Sequence, residues 1–408
     1  MSERVVIVGA GHAGISTAFE LREAGFAGPV VVLDQAGHEP YERPPLSKAW
    51  LAGAVSTGEL AFRGPEVYAR RRIELRTGVR VSAIDRGPRE VVTADGARLP
   101  YDHLVLATGA RPRALPVPGA GLAGVHRLHT LADALALRAA LDGARALAIV
   151  GGGFIGLEVA AAARKRGVPT TVVEAAPRLM RRVVSEPVSA FYHRLHEEAG
   201  CVIRTEAAVG ALTGEDGHVT GVRLADGATV PADMVVAGIG VVPETGLAGA
   251  AGLATGDGVL VDEALRTSDP AVFAVGDCAR FPLGEAMVRL ESVQNAADQG
   301  RAVAAAITGD ARPYRDVPWF WTDQHGCKLQ IAGIATGADE WAVVGDVQER
   351  RFTVLCWRRG ALVAGESVNR PADHLALRRL IAAKASISPA AARAGGFTLK
   401  DHARSLAG

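Results

Sequence analysis

The sequence predicts a mixed α/β protein with two parallel-sheet modules and a smaller C-terminal α+β domain. Three observations carry this prediction. A strand, a glycine-rich turn, a helix, a second strand and an acidic residue occur in that order twice, first near the N-terminus and again from Leu147. The strands of both copies are unbroken apolar runs, the pattern of strands covered on both faces, where a half-solvated sheet would alternate. Later in the chain, the runs Thr353–Trp357 and Leu362–Ala364 lie close enough to pair antiparallel, ahead of an alanine-rich helix near Leu375–Ala385.

The first copy begins with Val5–Val8, which runs into Gly9-Ala10-Gly11-His12-Ala13-Gly14. A helical pattern follows from Ile15 to Ala24, Gly25 closes it, and the strand Val30–Leu33 ends in Asp34. The second copy has Leu147–Val150, then Gly151-Gly152-Gly153-Phe154-Ile155-Gly156, a helix from Leu157 to Arg166, Gly167, and Thr170–Val173 ending in Glu174. The copies lie much further apart than the roughly 20–50-residue period of a solenoid, so they predict two separate Rossmann-like dinucleotide folds. In each, the first glycine permits the tight turn, the second lets backbone approach a pyrophosphate, and the third lets helix pack on strand. The helix N-terminus then offers free N–H groups and a positive dipole end to phosphate. A carboxylate ending the second strand suits ribose hydroxyls. At Glu174 it would also repel a 2′-phosphate and so favour NADH over NADPH, although Arg178, Arg181 and Arg182 follow closely.

Composition bounds the remaining possibilities. The chain has 408 residues, too many for one core. Its 45 Lys and Arg nearly cancel its 44 Asp and Glu, so there is no global electrostatic reason to expect nucleic acid or an anionic membrane. A strand-like run at Val5 leaves no room for a secretory signal. The longest apolar stretch, near Val235–Val242, falls far short of the roughly 20 residues a membrane helix needs. A cytoplasmic protein is expected. The four cysteines, Cys201, Cys278, Cys327 and Cys356, form no CxxC pair and have no metal-ligand neighbours in sequence. They read as small thiols in a reducing compartment, with no metal or iron–sulfur site.

Further segments tie the two copies together: Tyr41–Lys48 (YERPPLSK), Leu106–Pro112 (LATGARP) and Thr267–Asp277 (TSDPAVFAVGD). Val188–Tyr192, Glu291–Ala296, Pro318–Trp321 and Val368–Pro371 extend the pattern across nearly the whole chain. With these segments the chain resembles the two-dinucleotide-binding flavoprotein reductases, and specifically the putidaredoxin reductase-like, FAD-dependent NADH:ferredoxin reductases. The resemblance implies that NADH delivers a hydride to FAD, and that single electrons then pass to a 2Fe–2S ferredoxin serving a haem-thiolate monooxygenase or a Rieske oxygenase.

The resemblance also assigns roles. Gly9, Gly11, Ala13 and Gly14 cradle the FAD, with Val81 and Ala13 touching the adenosine end through backbone. Arg43, Thr108 and Gly109 contact the same cofactor, and Asp277 holds the ribitol hydroxyls. Val293 begins a helix whose N-terminus faces the flavin pyrimidine, where the dipole favours negative charge on the reduced ring. Lys48 corresponds to a lysine beside the isoalloxazine that raises the flavin potential, and Glu158 to the acid that pairs with it near the nicotinamide. Gly151, Gly153, Ile155, Gly156 and Glu174 fall to the nicotinamide dinucleotide. Trp319, with Phe320 and Trp321, packs either at the flavin edge or as ordinary core between domains. Arg63 and Arg301 are candidate docking cations for ferredoxin, near the basic run Arg70-Arg71-Arg72.

Two residues depart from the family pattern. The adenosine-binding acid aligns with Gln35, leaving Asp34 as the acid at hand, and an FAD-contacting arginine aligns with His129 in Leu128-His129-Thr130-Leu131. Exchanging an always-charged fork for imidazole predicts looser FAD retention. Because the first cradle and Asp277 must meet at one flavin, the FAD domain is expected to comprise residues 1–112 and 244–314. The NAD domain is expected at 113–243 and the C-terminal domain at 315–408. The rivals are a cysteine-dependent oxidase or disulfide reductase, for which no thiol lies in Arg43–Leu51, an electron feeder for rubredoxin or nitrite reductase, and an NADH-sensing flavoprotein with no electron-transfer partner.

Overall fold

The computed structural model describes residues 3–394 and 396–405. The chain divides into two compact units. One comprises the residues up to Glu42, Thr57–Arg111 and Val241–Asp316, and the other Arg43–Ser56, Pro112–Gly240 and the chain from Val317 on.

The first unit is built on a five-stranded parallel sheet in the order Val272–Ala274, His103–Leu106, Val5–Val8, Val30–Leu33, Ile73–Arg76. Its central strands are wholly buried, as unbroken Val, Ile and Leu runs require when both faces are covered. An antiparallel meander, Val81–Asp85, Glu90–Thr93 and Arg98–Pro100, accompanies the sheet.

The second unit repeats this plan. Its parallel sheet runs Val202–Arg204, Thr170–Val173, Leu147–Val150, Met234–Ala237, Val125–His126, with a meander of Val209–Glu215, His218–Leu224 and Thr229–Pro231. The same unit holds a five-stranded antiparallel sheet in the order Trp319–Gln324, Cys327–Gly333, Ala361–Val368, Arg351–Arg358, Glu340–Asp346, followed by the helix Pro371–Ala382. Leu51 sits in one apolar cluster with Leu137, Leu157, Cys327 and Val354, which explains why Arg43–Ser56 groups with this unit.

Both helices that follow a glycine turn begin earlier than hydrophobic periodicity indicates, at His12 and Phe154. The glycine turn itself forms the first helical turn, so the last glycine of each motif lies inside the helix.

Candidate cofactor and active site

The two glycine turns adopt nearly the same backbone. Gly9 has φ 108° and Gly151 φ 107°, a left-handed conformation that only glycine adopts without strain. A Cβ at Gly14 would lie 1.9 Å from the Gly9 carbonyl oxygen, and one at Gly156 would lie 2.3 Å from that of Gly151. Helix and strand therefore approach closely enough to exclude any side chain. The middle glycines differ: a Cβ at Gly11 or Gly153 would meet nothing within 4 Å. Each middle glycine is also the N-cap of its helix, extended and with no capping side chain, so the first helical N–H groups face open space. This is the shape a pyrophosphate needs. Ala13 and Gly14 are buried within the first turn of one helix, while Ile155 is exposed at the start of the other.

The acids at the ends of the second strands are held alike. Asp34 accepts from the N–H of Ala10 at 2.6 Å and of Ala36 at 2.7 Å. Glu174 accepts from Gly152 and Ala176, both at 2.7 Å. Each carboxylate is fixed against its glycine turn with lone pairs left for ribose hydroxyls. Gln35 is exposed. Val79 donates to the Asp34 carbonyl at 2.8 Å, which brings the chain entering Val81 alongside that acid. Arg178 donates to the carbonyls of Val184 and Arg181, at 2.9 and 3.1 Å, and burial lowers its pKa.

In the first unit, segments far apart in sequence converge on the first cradle. A Cβ at Gly9 would collide with the Ala107 carbonyl oxygen at 2.3 Å, so Thr108 and Gly109 lie against the turn. Thr108 donates to the Glu244 carbonyl at 2.7 Å. A Cβ at Gly276 would come within 2.9 Å of the Ala13 Cβ, so the turn carrying Asp277 packs on the same helix. Gly276 N–H donates to the Gln299 side-chain oxygen at 2.7 Å, and the buried Gln299 amide nitrogen has no partner among the described residues. The helix Val293–Ile307 opens at Ser292, whose hydroxyl accepts from Asn295 N–H at 3.1 Å, with Val293 in its first turn. The open middle glycine, the Asp277 turn and the orphaned Gln299 donor fit an elongated polar cofactor.

The other candidates fold in the second unit. Lys48 lies 2.8 Å from Glu158, whose side chain is 1% exposed against 17% for the lysine. Ser47 donates to one oxygen of Glu158 and Thr322 to the other. Gln324 donates to Thr322 at 3.1 Å, and its own oxygen is 2.9 Å from His196 Nε2. The carboxylate is therefore fully engaged, and it carries the lysine on a rigid support. Ser47, Thr322 and Gln324 escape a search for charged residues. The signal that finds the last two is strand alternation along Trp319–Gln324, which turns Thr322 and Gln324 to the same buried face; Ser47 has no such signal. Arg43 is 2.9 Å from His129 Nε2, a geometry in which a neutral imidazole accepts from the guanidinium. Trp319 stacks near Trp321, with ring centroids 5.6 Å apart, lies edge-on to His374, and has Arg378 5.1 Å from its ring centroid.

Of the docking candidates, Arg63 and Arg301 are both exposed. Arg301 is partly neutralised by Glu20 at 3.4 Å and Asp298 at 3.0 Å. All four cysteines are buried and free. Cys201 has spatial neighbours that its sequence surroundings do not reveal: His196 and His325 converge on it.

The family model for pyridine nucleotide-disulphide oxidoreductases matches residues 3–300, and the reductase C-terminal model matches residues 319–403. Rhodocoxin reductase of Rhodococcus erythropolis is 45% identical over 97% of this chain and 93% of its own length. Among solved structures, the ferredoxin reductase for the CYP199A2 system from Rhodopseudomonas palustris superposes with TM-score 0.96 at 44% identity, covering 98% of this chain and all of that one. The covalent putidaredoxin reductase–putidaredoxin complex gives TM-score 0.95 at 40% identity, with 99% of this chain and 98% of that one covered.

Proposed function

The chain belongs to the pyridine nucleotide-disulphide oxidoreductase family, with the C-terminal domain of its reductases, and from that premise we propose that it is an FAD-dependent NADH:ferredoxin oxidoreductase. The observation that carries this reading is the duplicated cradle, alike in its glycine angles and its fixed acids, in one chain. Relatives and structural neighbours at 40% identity and above are named as reductases of rhodocoxin, ferredoxin and putidaredoxin, which gives the acceptor its class.

In this reading residues 1–112 and 244–314 hold FAD, 113–243 hold NADH, and 315–408 form the C-terminal domain. Bound FAD supplies the conversion of one hydride into two single-electron transfers. Gly9 makes the tight turn, Gly11 leaves room for its pyrophosphate at the N-terminus of the helix His12–Glu23, and Gly14 lets that helix pack closely; Asp34 would hold its ribose and the Asp277 turn its ribitol. Gly151, Gly153, Gly156 and Glu174 take the corresponding roles of turn, open approach, close packing and ribose contact for the nicotinamide dinucleotide. The carboxylate of Glu174 favours NADH over NADPH by repelling a 2′-phosphate. Lys48 provides fixed positive charge that favours the reduced, negatively charged ring, and Glu158 holds Lys48 in place. None of the cysteines offers a redox partner in Arg43–Leu51. No helix among the described residues is long and apolar enough to cross a membrane, and we place the enzyme in the cytoplasm with its NADH supply.

The test supplies the purified protein with NADH or NADPH, and with a 2Fe–2S ferredoxin or a rubredoxin as acceptor. Preferential ferredoxin reduction from NADH supports the reading. Preference for rubredoxin assigns the chain to a different electron carrier, and reduction of neither overturns the enzymatic role.

A further inference from the structure

The helix Glu186–Glu198 ends in a left-handed glycine, Gly200, with φ 83°. Gly200 N–H bonds back to the Glu197 carbonyl at 2.8 Å and Cys201 N–H to that of His196 at 2.9 Å, the closing pattern of a Schellman motif. That motif folds the residue after the glycine over the last helical turn. It sets Cys201 Sγ 3.7 Å from His196 Nδ1. From the C-terminal sheet, the hairpin between Trp319–Gln324 and Cys327–Gly333 turns through His325 and Gly326, with φ 49° and 75°. Such a turn favours asparagine followed by glycine. Here a histidine takes the first position, and its Nε2 comes within 3.2 Å of the same His196 Nδ1.

We propose that His196 Nδ1, Cys201 Sγ and His325 Nε2 form a binding site for a borderline-soft divalent metal ion of the zinc class. The three ligand atoms lie within 4.8 Å of one another. Bonds of about 2.0–2.1 Å to nitrogen and 2.3 Å to sulfur, at tetrahedral angles, put ligand atoms roughly 3.3–3.6 Å apart, close to the contacts His196 already makes. The outer shell is in place as well. His196 Nε2 faces the Gln324 side-chain oxygen Oε1 at 2.9 Å, and a donor there leaves Nδ1 with a lone pair toward the other two ligands. His325 is only partly buried, so water can complete the coordination.

The surroundings carry charge of both signs. Arg164 and Arg350 bear on His325, and His193 bears on His196. Arg350 pairs with Glu198 at 2.8 Å, and His193 lies 3.3 Å from Glu197. Zinc with one thiolate adds a single positive charge to this set. The ion would pin the helix of the nicotinamide module to the hairpin of the C-terminal sheet. Gln324 and Thr322 connect it by hydrogen bonds to Glu158, so occupancy would be felt at the Lys48–Glu158 pair.

The test uses the FAD-loaded protein, stripped with a chelator and titrated with Zn²⁺ against a fluorescent indicator, and with Co²⁺ as a spectroscopic probe. One equivalent of Zn²⁺ should bind, with affinity falling at least tenfold in both Cys201→Ser and His325→Asn, the latter chosen because asparagine tolerates the turn. Co²⁺ should give a thiolate charge-transfer band that Cys201→Ser abolishes. Failure to bind a stoichiometric equivalent overturns the proposal. So does binding that survives both substitutions, or that His193→Ala removes, since the ion would then sit on the exposed His193–Glu197 pair.

Discussion

Replacing Glu158 by Gln removes the charge from a carboxylate that is 1% exposed and 2.8 Å from the Lys48 ammonium. At an effective dielectric constant of about 20, the gross attraction at this distance is about 6 kcal/mol. Desolvation offsets much of this, and removing one partner of a buried pair costs about 3–5 kcal/mol. Glutamine keeps the volume and one acceptor for Ser47 or Thr322, and Lys48 retains some solvent, so about 3 kcal/mol is expected for Glu158→Gln. Lys48→Met leaves the opposite charge stranded at a similar cost. Neither charge remains in the double variant, so the two effects should be non-additive by about 2 kcal/mol. Denaturant unfolding of the four proteins at saturating FAD measures the coupling, and a value below about 0.5 kcal/mol would refute a rigid, energetically coupled pair. Stopped-flow reduction by NADH separates structure from function. The folded Glu158→Gln protein should reduce its flavin at least roughly tenfold more slowly, about 1.4 kcal/mol of barrier, and an unchanged rate would leave Glu158 with a purely structural role.

Other consequences follow from the same geometry. Gly11→Ala should fold normally yet lose at least about tenfold in FAD affinity, since its methyl enters open space where the pyrophosphate belongs. Gly14→Ala should fail to fold stably because its Cβ would fall 1.9 Å from the Gly9 oxygen; circular dichroism and flavin titration distinguish the two. Glu366 is fully buried against Ser185, and burial raises its pKa from 4.5 to about 7. Its stability contribution is therefore complete below pH 4.5 and lost as pH rises through about 7, roughly 3 kcal/mol in all. Glu366→Gln should flatten the decline in melting temperature over that window. FAD should leave the wild-type protein on dilution to nanomolar concentration and be retained better by His129→Arg; tight retention by the wild type would contradict the reading of His129.

The modules were legible because their physics is local. Three glycines at fixed spacing, an unbroken apolar strand before them and an acid after the next strand are all read within about 30 residues. The antiparallel C-terminal strands were legible for the same reason. The helix starts at His12 and Phe154 were misplaced because the whole glycine motif reads as a turn, whereas its last three residues already form the first helical turn. The partners of Glu158 were out of reach: Ser47 and Thr322 are 111 and 164 residues away, and neither carries charge. Local sequence likewise gave no sign that Arg43–Ser56 packs with the second unit, since Leu51 finds its neighbours only in three dimensions. The convergence of His196, Cys201 and His325 is of the same kind, depending on a helix cap and on a hairpin more than a hundred residues later.

The most direct test is an anaerobic titration of the purified protein followed by its visible spectrum. The expected result is a yellow protein whose flavin band is bleached by one equivalent of NADH, and then restored as oxidised 2Fe–2S ferredoxin is added and reduced. A colourless protein that refuses flavin, or a coloured one that NADH leaves unchanged, would contradict it.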